Sequence, residues 1–132
     1  MKQVLFHGLT AGLLAGAAST VYNSAYSAAL LADFSQIVNV AGIFGACIFG
    51  CVVASLGYHF LRKLNFGYTD VLFNIIFLII TFASFYPSFA MSLPVDIESP
   101  ELFAGLVIPM HLFPVLFWLA AKPLFYKADM LS

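Results

Sequence analysis

The sequence predicts an all-α integral membrane protein, a single domain over residues 1–132 in which four helices form an up-down antiparallel bundle. The first observation is composition, since 63% of the 132 residues are apolar and only 8% are charged. A water-soluble domain of this size needs several times more charge to cover its surface. The second is the spacing of the charges, which leaves uncharged runs at 3–32, 34–61, 71–95 and 102–121. Each run holds the roughly 20 residues that a helix needs to cross a bilayer.

The positions of the basic residues predict the orientation of the bundle. If the four helices alternate in direction, every basic side chain falls on the same side of the membrane. Basic residues close to the ends of the spans favour the cytoplasmic side, so we expect both termini in the cytoplasm. The basic residues are Lys2, Arg62, Lys63, Lys122 and Lys127.

The first two predicted helices, residues 4–30 and 35–62, each carry small residues at every fourth position. Residues four apart lie on one face of a helix, so each helix presents a face without large side chains. We predict that the two faces pack together within the chain, because membrane helices associate through close backbone approach. The alternative is a seam with a second copy of the chain. The packing candidates are Gly8, Gly12 and Gly16 on the first helix and Gly42, Ala46 and Gly50 on the second.

The start of the second helix is predicted from Asp33 and Gln36, whose spacing matches a capping box. Further along this helix, Cys47 and Cys51 lie at about the depth of His111 in the fourth helix. Two thiols and an imidazole suit a soft metal ion, but free cysteine is also an ordinary small apolar residue of protein interiors. We favour packing, and we predict neither a bound metal nor another cofactor.

The third predicted helix, residues 70–91, is rich in Ile and Phe but carries one polar stripe. The stripe follows three-and-four spacing and consists of Asn74, Phe77, Thr81, Ser84 and Ser88. Polar groups that pointed at lipid would lack partners, so we predict that the stripe faces the bundle. Pro87 has no amide proton and leaves the carbonyl four residues earlier without its helical donor. We therefore predict a kink in the outer half of this helix.

The fourth predicted helix, residues 100–121, places one ionisable side chain, His111, near the middle of the bilayer. Pro109 and Pro114 flank it, and each removes the helical donor of the carbonyl four residues earlier. In one interpretation His111 forms a polar pocket at mid-depth with the hydroxyl groups of the third helix, since ionisable groups inside membranes are functional by default. In the other it is a neutral histidine that is hydrogen-bonded to a neighbouring helix for packing alone.

Several further polar side chains lie towards the ends of the predicted helices. Asn23 and Tyr86 are candidates for a small polar network in the outer half of the bundle. We expect Trp118 in the aromatic belt at a membrane interface. His7 and His59 lie near the cytoplasmic ends of their helices, where histidines are commonly solvated, although two histidines at equal depth are also what a haem needs.

Four features are spread over almost the whole chain: Gly8-Leu9-Thr10-Ala11-Gly12 at the start of the first helix, Asn23 at its far end, Pro87 late in the third, and Met110-His111-Leu112 within the fourth. In these features the sequence resembles a group of small four-helix bacterial membrane proteins of unknown function. The resemblance implies a multi-pass protein of the bacterial cytoplasmic (inner) membrane. It implies no activity and no established site.

The sequence contains no nucleotide-binding loop, hydrolase elbow or metalloprotease histidine pair, so we do not expect an enzyme. The small number of basic residues excludes a nucleic-acid binder. Because little chain lies outside the spans, we expect an accessory or interaction subunit or a binder of an apolar ligand. The partners expected are the lipid bilayer and another membrane protein or further copies of the chain. The alternative function is a small transporter or channel that uses a polar mid-membrane site around His111.

Overall fold

The structure, a computed structural model, describes residues 1–97 and 99–126, and all its regular elements are α-helices. They are α1 (Lys2–Leu30), α2 (Val40–Lys63), α3 (Thr69–Ala83), α4 (Tyr86–Ala90) and α5 (Leu102–Phe125). Helices α3 and α4 together form one apolar stretch, Thr69–Ala90. The described residues thus contain four helices that are long and apolar enough to cross a membrane, which confirms this part of the prediction.

The second span begins later than predicted, at Val40. Its N-cap is Asn39, whose side-chain oxygen accepts a hydrogen bond from the Gly42 amide at 2.7 Å. The Asp33 carboxylate instead accepts from the amide two residues further on, in a turn that precedes the helix. The predicted capping box at Asp33 is therefore wrong. The turn places Phe34, which is 1% exposed, in the core.

Helices α1 and α2 are antiparallel and lie close together through the glycine face of α1. The contacts pair Gly8 with Val52, Gly12 with Ile48 and Gly16 with Phe44. A Cβ atom added at Gly12 would lie only 2.5 Å from the Ile48 Cα, a distance at which the two backbones would have to move apart. In the structure all three glycines of α1 lie against α2 of the same chain.

The small residues of α2 do not face α1, so that half of the packing prediction is wrong. A Cβ added at Gly50 meets nothing within 4 Å, and one added at Gly42 meets only the Asn39 side chain. Ala46 is exposed. The α1 glycines instead meet the backbone of α2 at Val52 and Ile48 and the ring of Phe44, so the small residues of one helix are enough for the close approach.

Helix α5 runs antiparallel to α1. Near the start of α1, the His7 Nε2 donates to the Trp118 carbonyl at 3.0 Å, and further along α1 the Tyr22 hydroxyl donates to the Gly105 carbonyl at 2.9 Å. Trp118 also reaches α2, because its indole Nε1 donates to the Ser55 hydroxyl at 2.8 Å. Helices α1, α2 and α5 thus form a three-helix unit around Trp118, which is 0% exposed.

Helix α3 packs against this unit mainly at one end. There the Lys122 Nζ lies 2.6 Å from the Asp70 Oδ1, and the rings of Phe73 and Trp118 have centroids 4.8 Å apart. Helix α3 makes far fewer contacts with α2 or α5 than α1 does. Its outer face is exposed and apolar, as a lipid-facing surface would be. The residues of that face include Val71, Leu72, Ile75, Ile79 and Phe82.

The third span is interrupted between α3 and α4, close to Pro87, as we predicted from that residue. The helix ends at Ala83, and α4 begins at Tyr86 with Pro87 in its first turn. The Ser84 hydroxyl donates to the Thr81 carbonyl at 2.6 Å, so a side chain supplies a hydrogen bond at the break. The predicted kink is confirmed.

The close approach of α1 and α2 can be tested by a single methyl group at Gly12. We expect Gly12→Ala to lower the free energy of unfolding by about 1–3 kcal/mol, because an added Cβ has no space and overpacking forces the helices apart. The measurement is reversible unfolding in mixed micelles, followed by circular dichroism.

The matched control is Gly45→Ala, which makes the same change on α2 where an added Cβ meets nothing within 4 Å. We expect this variant to be as stable as the parent chain or more stable by about 0.5–1 kcal/mol, since alanine favours a helix over glycine. Equal effects of the two substitutions would contradict the close approach.

Candidate functional site, a groove between α2, α3 and α5

An apolar groove of about 480 Å³ separates α2 from α3, with α5 at its back. We call it the α2–α3 groove. It is lined by Ala46, Gly50, Ala54 and Gly57 of α2, by Phe73, Phe77, Thr81 and Ser84 of α3, and by His111 and Pro114 of α5. Phe49, Val53 and Ile80, which also border it, are exposed, so the groove opens on the outer surface of the helices. In a bilayer that surface faces lipid.

The small residues of α2 form the floor of the groove. Ala46, Gly50, Ala54 and Gly57 recur at spacings of four, four and three, which places them on one face of the helix. This face lies opposite the face that packs on α1, where Val52, Ile48 and Phe44 lie against the glycines. A ligand in the groove would therefore contact the α2 backbone closely. The small-residue pattern is real, but it shapes a cavity rather than a helix contact.

Three polar side chains that the sequence singled out meet along this groove, namely Thr81, Ser84 and His111. Each is hydrogen-bonded to the backbone of its own helix. The Thr81 hydroxyl donates to the Phe77 carbonyl at 2.8 Å, and Ser84 donates to Thr81 as described above. The His111 Nδ1 donates to the Val107 carbonyl, four residues earlier, at 2.8 Å. These bonds occupy a proton of each of the three groups, and each group keeps a further lone pair that can accept a hydrogen bond.

The other predicted pocket residues lie elsewhere. Asn74 is exposed on α3, because its neighbour Phe73 is the residue buried against Trp118 and fixes the rotation of the helix. Tyr86 is 73% exposed, beyond the break between α3 and α4. Asn23 is half-buried on α1 and does not line the groove. No hydrogen bond joins Asn23 to Tyr86 among the described residues, so the predicted network is wrong.

Pro109 leaves one carbonyl of α5 without its helical donor, and a side chain of α1 donates to that carbonyl, as predicted. Pro109 has no amide proton for the Gly105 carbonyl, and the Tyr22 hydroxyl of α1 supplies a donor in its place. One turn further along α1, the Tyr26 hydroxyl donates to the Leu102 carbonyl near the start of α5, at 2.8 Å. Two tyrosines thus attach α1 to α5 in the half of the bundle that contains the polar part of the groove.

Sequence reasoning missed a second polar cluster, which surrounds Trp118. His7 was expected at the membrane interface among headgroups, but it is 0% exposed and lies with its ring 4.7 Å from that of Trp118. Trp118 was expected in the aromatic belt and is instead the largest fully buried side chain. Both expectations were wrong because position along a helix gives depth in the membrane, and a residue near an interface can still face the centre of the bundle.

The same cluster extends to the ion pair between α3 and α5. Asp70 accepts hydrogen bonds from the Tyr58 hydroxyl and from Lys122, whose ammonium group also lies 4.5 Å from the Tyr58 ring centroid. Tyr126, just beyond α5, packs edge-on against Tyr58, and burial raises the pKa of its phenol. One signal in the sequence pointed here, since Asp70 and Lys122 are opposite charges at the same predicted face of the membrane.

The two cysteines lie within the bundle and each contacts a neighbouring helix. The Cys47 Sγ lies 3.8 Å from the Ser19 Oγ, and the Cys51 thiol donates to the Pro114 carbonyl at 3.6 Å. Residues 1–97 and 99–126 contain no group of three His, Cys, Asp or Glu side chains placed to hold a metal ion. The cysteines are therefore explained by packing and by weak hydrogen bonds.

No protein-family model matches this chain, and neither the curated proteins nor the solved structures include one that is significantly similar to it. The α2–α3 groove is therefore interpreted from its own residues and geometry.

A thermodynamic cycle tests the freed carbonyl of α5. We expect Tyr22→Phe to lower the free energy of unfolding by about 0.5–1.5 kcal/mol, because it removes the donor to Gly105. In a Pro109→Ala background the helix supplies its own amide, so the same change costs less, with a coupling of at least about 0.5 kcal/mol.

The control is Tyr68→Phe, since Tyr68 is 81% exposed and we expect no change there. The three substitutions and the double variant are compared by the same micelle unfolding measurement. Strictly additive effects of Tyr22→Phe and Pro109→Ala would show that the hydroxyl does not replace the missing amide.

Proposed function

We propose that this chain is a multi-pass membrane protein that binds the apolar chain of a lipid-like molecule in the α2–α3 groove. The observation that carries the proposal is the groove itself, about 480 Å³ in volume, lined almost wholly by apolar side chains and bordered by exposed Phe49, Val53 and Ile80. A ligand that is dissolved in the bilayer can enter it from the side without crossing a polar surface.

The small residues on the floor of the groove are what would make it prefer one apolar chain over the surrounding lipid tails, because burial from water gives no such preference. Lipid tails are as apolar as the groove, so the hydrophobic effect does not favour one occupant over another there. Close contact does, because dispersion attraction grows with the number of atoms at contact distance. The bare backbone at Gly50 and Gly57 gives a linear chain more contact than a lipid-facing surface that is covered with Ile and Phe side chains.

The lining also favours binding over ion transport. Among the residues that the structure describes, no charged side chain lines the groove, and its polar groups are hydroxyls and one imidazole. An aqueous path for ions needs carboxylates, basic side chains or a continuous row of carbonyls. A proton leak in vesicles that depended on His111 would support the alternative of a small transporter or channel.

For location, we propose the bacterial cytoplasmic membrane with both termini in the cytoplasm. The location is supported by the resemblance to small bacterial membrane proteins. The orientation is supported by the basic residues, which fall on one side when the four spans alternate.

Cysteine labelling tests this orientation. We replace Cys47 and Cys51 by alanine and introduce either Asp33→Cys or Lys63→Cys. In intact cells a membrane-impermeant maleimide is expected to label position 33, which lies in an outer connection, and to label position 63 only after permeabilisation. Labelling of position 63 in intact cells would contradict the proposed orientation.

The groove is tested by filling it at Gly50. A hexadecyl methyl ether that carries a diazirine in its chain serves as the probe, in nanodiscs of defined lipid. We expect Gly50→Leu to reduce photocrosslinking at least about fivefold, because the new side chain occupies the space of the chain and overpacking costs about 1–3 kcal/mol.

The matched control is Gly45→Leu, also on α2 and also with nothing within 4 Å of the added Cβ, but outside the groove. We expect it to crosslink as the parent chain does. Mass spectrometry of the crosslinked peptides should place the probe on residues of α2 and α3 that line the groove. Equal crosslinking in both leucine variants would refute the proposed site.

A further inference from the structure

We infer that the α2–α3 groove selects ligands that carry a hydrogen-bond donor, namely long-chain alcohols and related hydroxyl compounds, over ethers, esters and ketones of the same shape. This inference rests on the proposed function, because it names the class of molecule that the groove would bind. It follows from the hydrogen bonds of the polar side chains in the lining, which already donate their protons to backbone carbonyls.

The direction of each hydrogen bond is fixed by its partner. A backbone carbonyl has lone pairs and no proton, so it only accepts. The atoms bonded to the carbonyls of Phe77, Thr81 and Val107 must therefore be donors. The protons of the Thr81 and Ser84 hydroxyls and of the His111 Nδ1 are thus all directed at the backbone.

What these groups present to the groove is consequently a set of acceptors. Each hydroxyl oxygen keeps lone pairs after it has donated its proton. In a neutral imidazole with the proton on Nδ1, the Nε2 is an acceptor. No carboxylate lines the groove among the described residues. The His111 Nε2 has no hydrogen-bond partner in that part of the chain.

The remaining hydroxyl of the lining does not change this conclusion. Ser19 is 0% exposed, so a ligand cannot reach its hydroxyl, and its oxygen lies 3.8 Å from the Cys47 sulfur, a contact in which either group can be the donor. The groove therefore offers oxygen and nitrogen lone pairs from three side chains and no strong donor in return.

A hydroxyl group inside a bilayer has no partner among lipid tails, and leaving it unpaired is costly. In the groove it would donate to one of the three acceptors. An ether or ketone oxygen would face those same lone pairs with nothing to donate, so it would stay unpaired. Each hydrogen bond of this kind favours the alcohol by about 2–10-fold in affinity.

The experiment compares two probes that differ in one group, diazirine-labelled hexadecanol and its methyl ether, in the same nanodiscs. The parent chain is expected to crosslink the alcohol about 2–10-fold more strongly than the ether. Thr81→Val and His111→Phe should each reduce this preference, measured as the ratio of alcohol to ether crosslinking within the same variant. Two independent variants are used so that a folding defect in one of them leaves the inference testable.

The matched control is Thr20→Val. Thr20 donates to the carbonyl four residues earlier at 2.8 Å, as Thr81 does, but it lies on α1 outside the groove. Its substitution should leave the preference for the alcohol intact. Variants are compared only after size-exclusion chromatography and circular dichroism show that they are folded.

The outcomes separate this inference from the proposed function. If alcohol and ether crosslink equally to the parent chain and Gly50→Leu abolishes both, the groove binds chains but the donor rule is wrong. If Gly50→Leu changes neither, the groove itself is not the site and both proposals fail. If Thr20→Val removes the preference as Thr81→Val does, the preference does not come from the groove and the inference is refuted.

Discussion

The close approach of α1 and α2 is the constraint on which the rest of the structure depends. In lipid, helices gain little by hiding apolar surface from each other, so they associate where backbones can come near. The glycines of α1 permit this, with Gly12 directly against the Ile48 backbone and Gly16 against the Phe44 ring. Since Phe44, Ile48 and Val52 share the side of α2 that faces α1, its small residues lie on the opposite side, towards α3. The groove is the consequence.

Helix α3 completes the groove without closing it. The ion pair of Asp70 with Lys122 and the contact of Phe73 with Trp118 hold one end of α3 against the bundle. Towards the other end α3 stops at Ala83, and few contacts join it to α2 or α5. Exposed residues such as Ile80 border the groove on this side, so it stays open on the outer surface of the helices.

Sequence patterns located most of the elements, because the cues that define them are local. A missing amide proton fixes where α3 breaks and which carbonyl of α5 needs a new donor, and both were predictable from Pro87 and Pro109. The glycine face of α1 was predictable from its spacing of four. These features depend on residues within one or two turns of the same helix.

The partners of those elements were not predictable in the same way. Spacing shows that Gly42, Ala46 and Gly50 share a face, but not which helix that face meets. Depth along a span does not reveal rotation about the helix axis, so buried His7 and Trp118 were expected near the interface, while exposed Asn74 was expected inside. Rotation is decided by packing between residues far apart in sequence, such as Phe73 with Trp118, and a single sequence carries no local record of it.

The two histidines of α1 and α5 show how the candidate site differs from ordinary packing. His7 satisfies the packing interpretation, because it is fully buried and its Nε2 hydrogen-bonds across the bundle to Trp118. His111 was weighed against that same interpretation and does not meet it, since its one hydrogen bond is to Val107 on its own helix. Its ring also packs edge-on against that of Phe85, with centroids 6.2 Å apart, and it lies along the groove beside Thr81 and Ser84. The two histidines thus differ in their hydrogen bonds, since that of His7 crosses from one helix to another and that of His111 stays within its own helix.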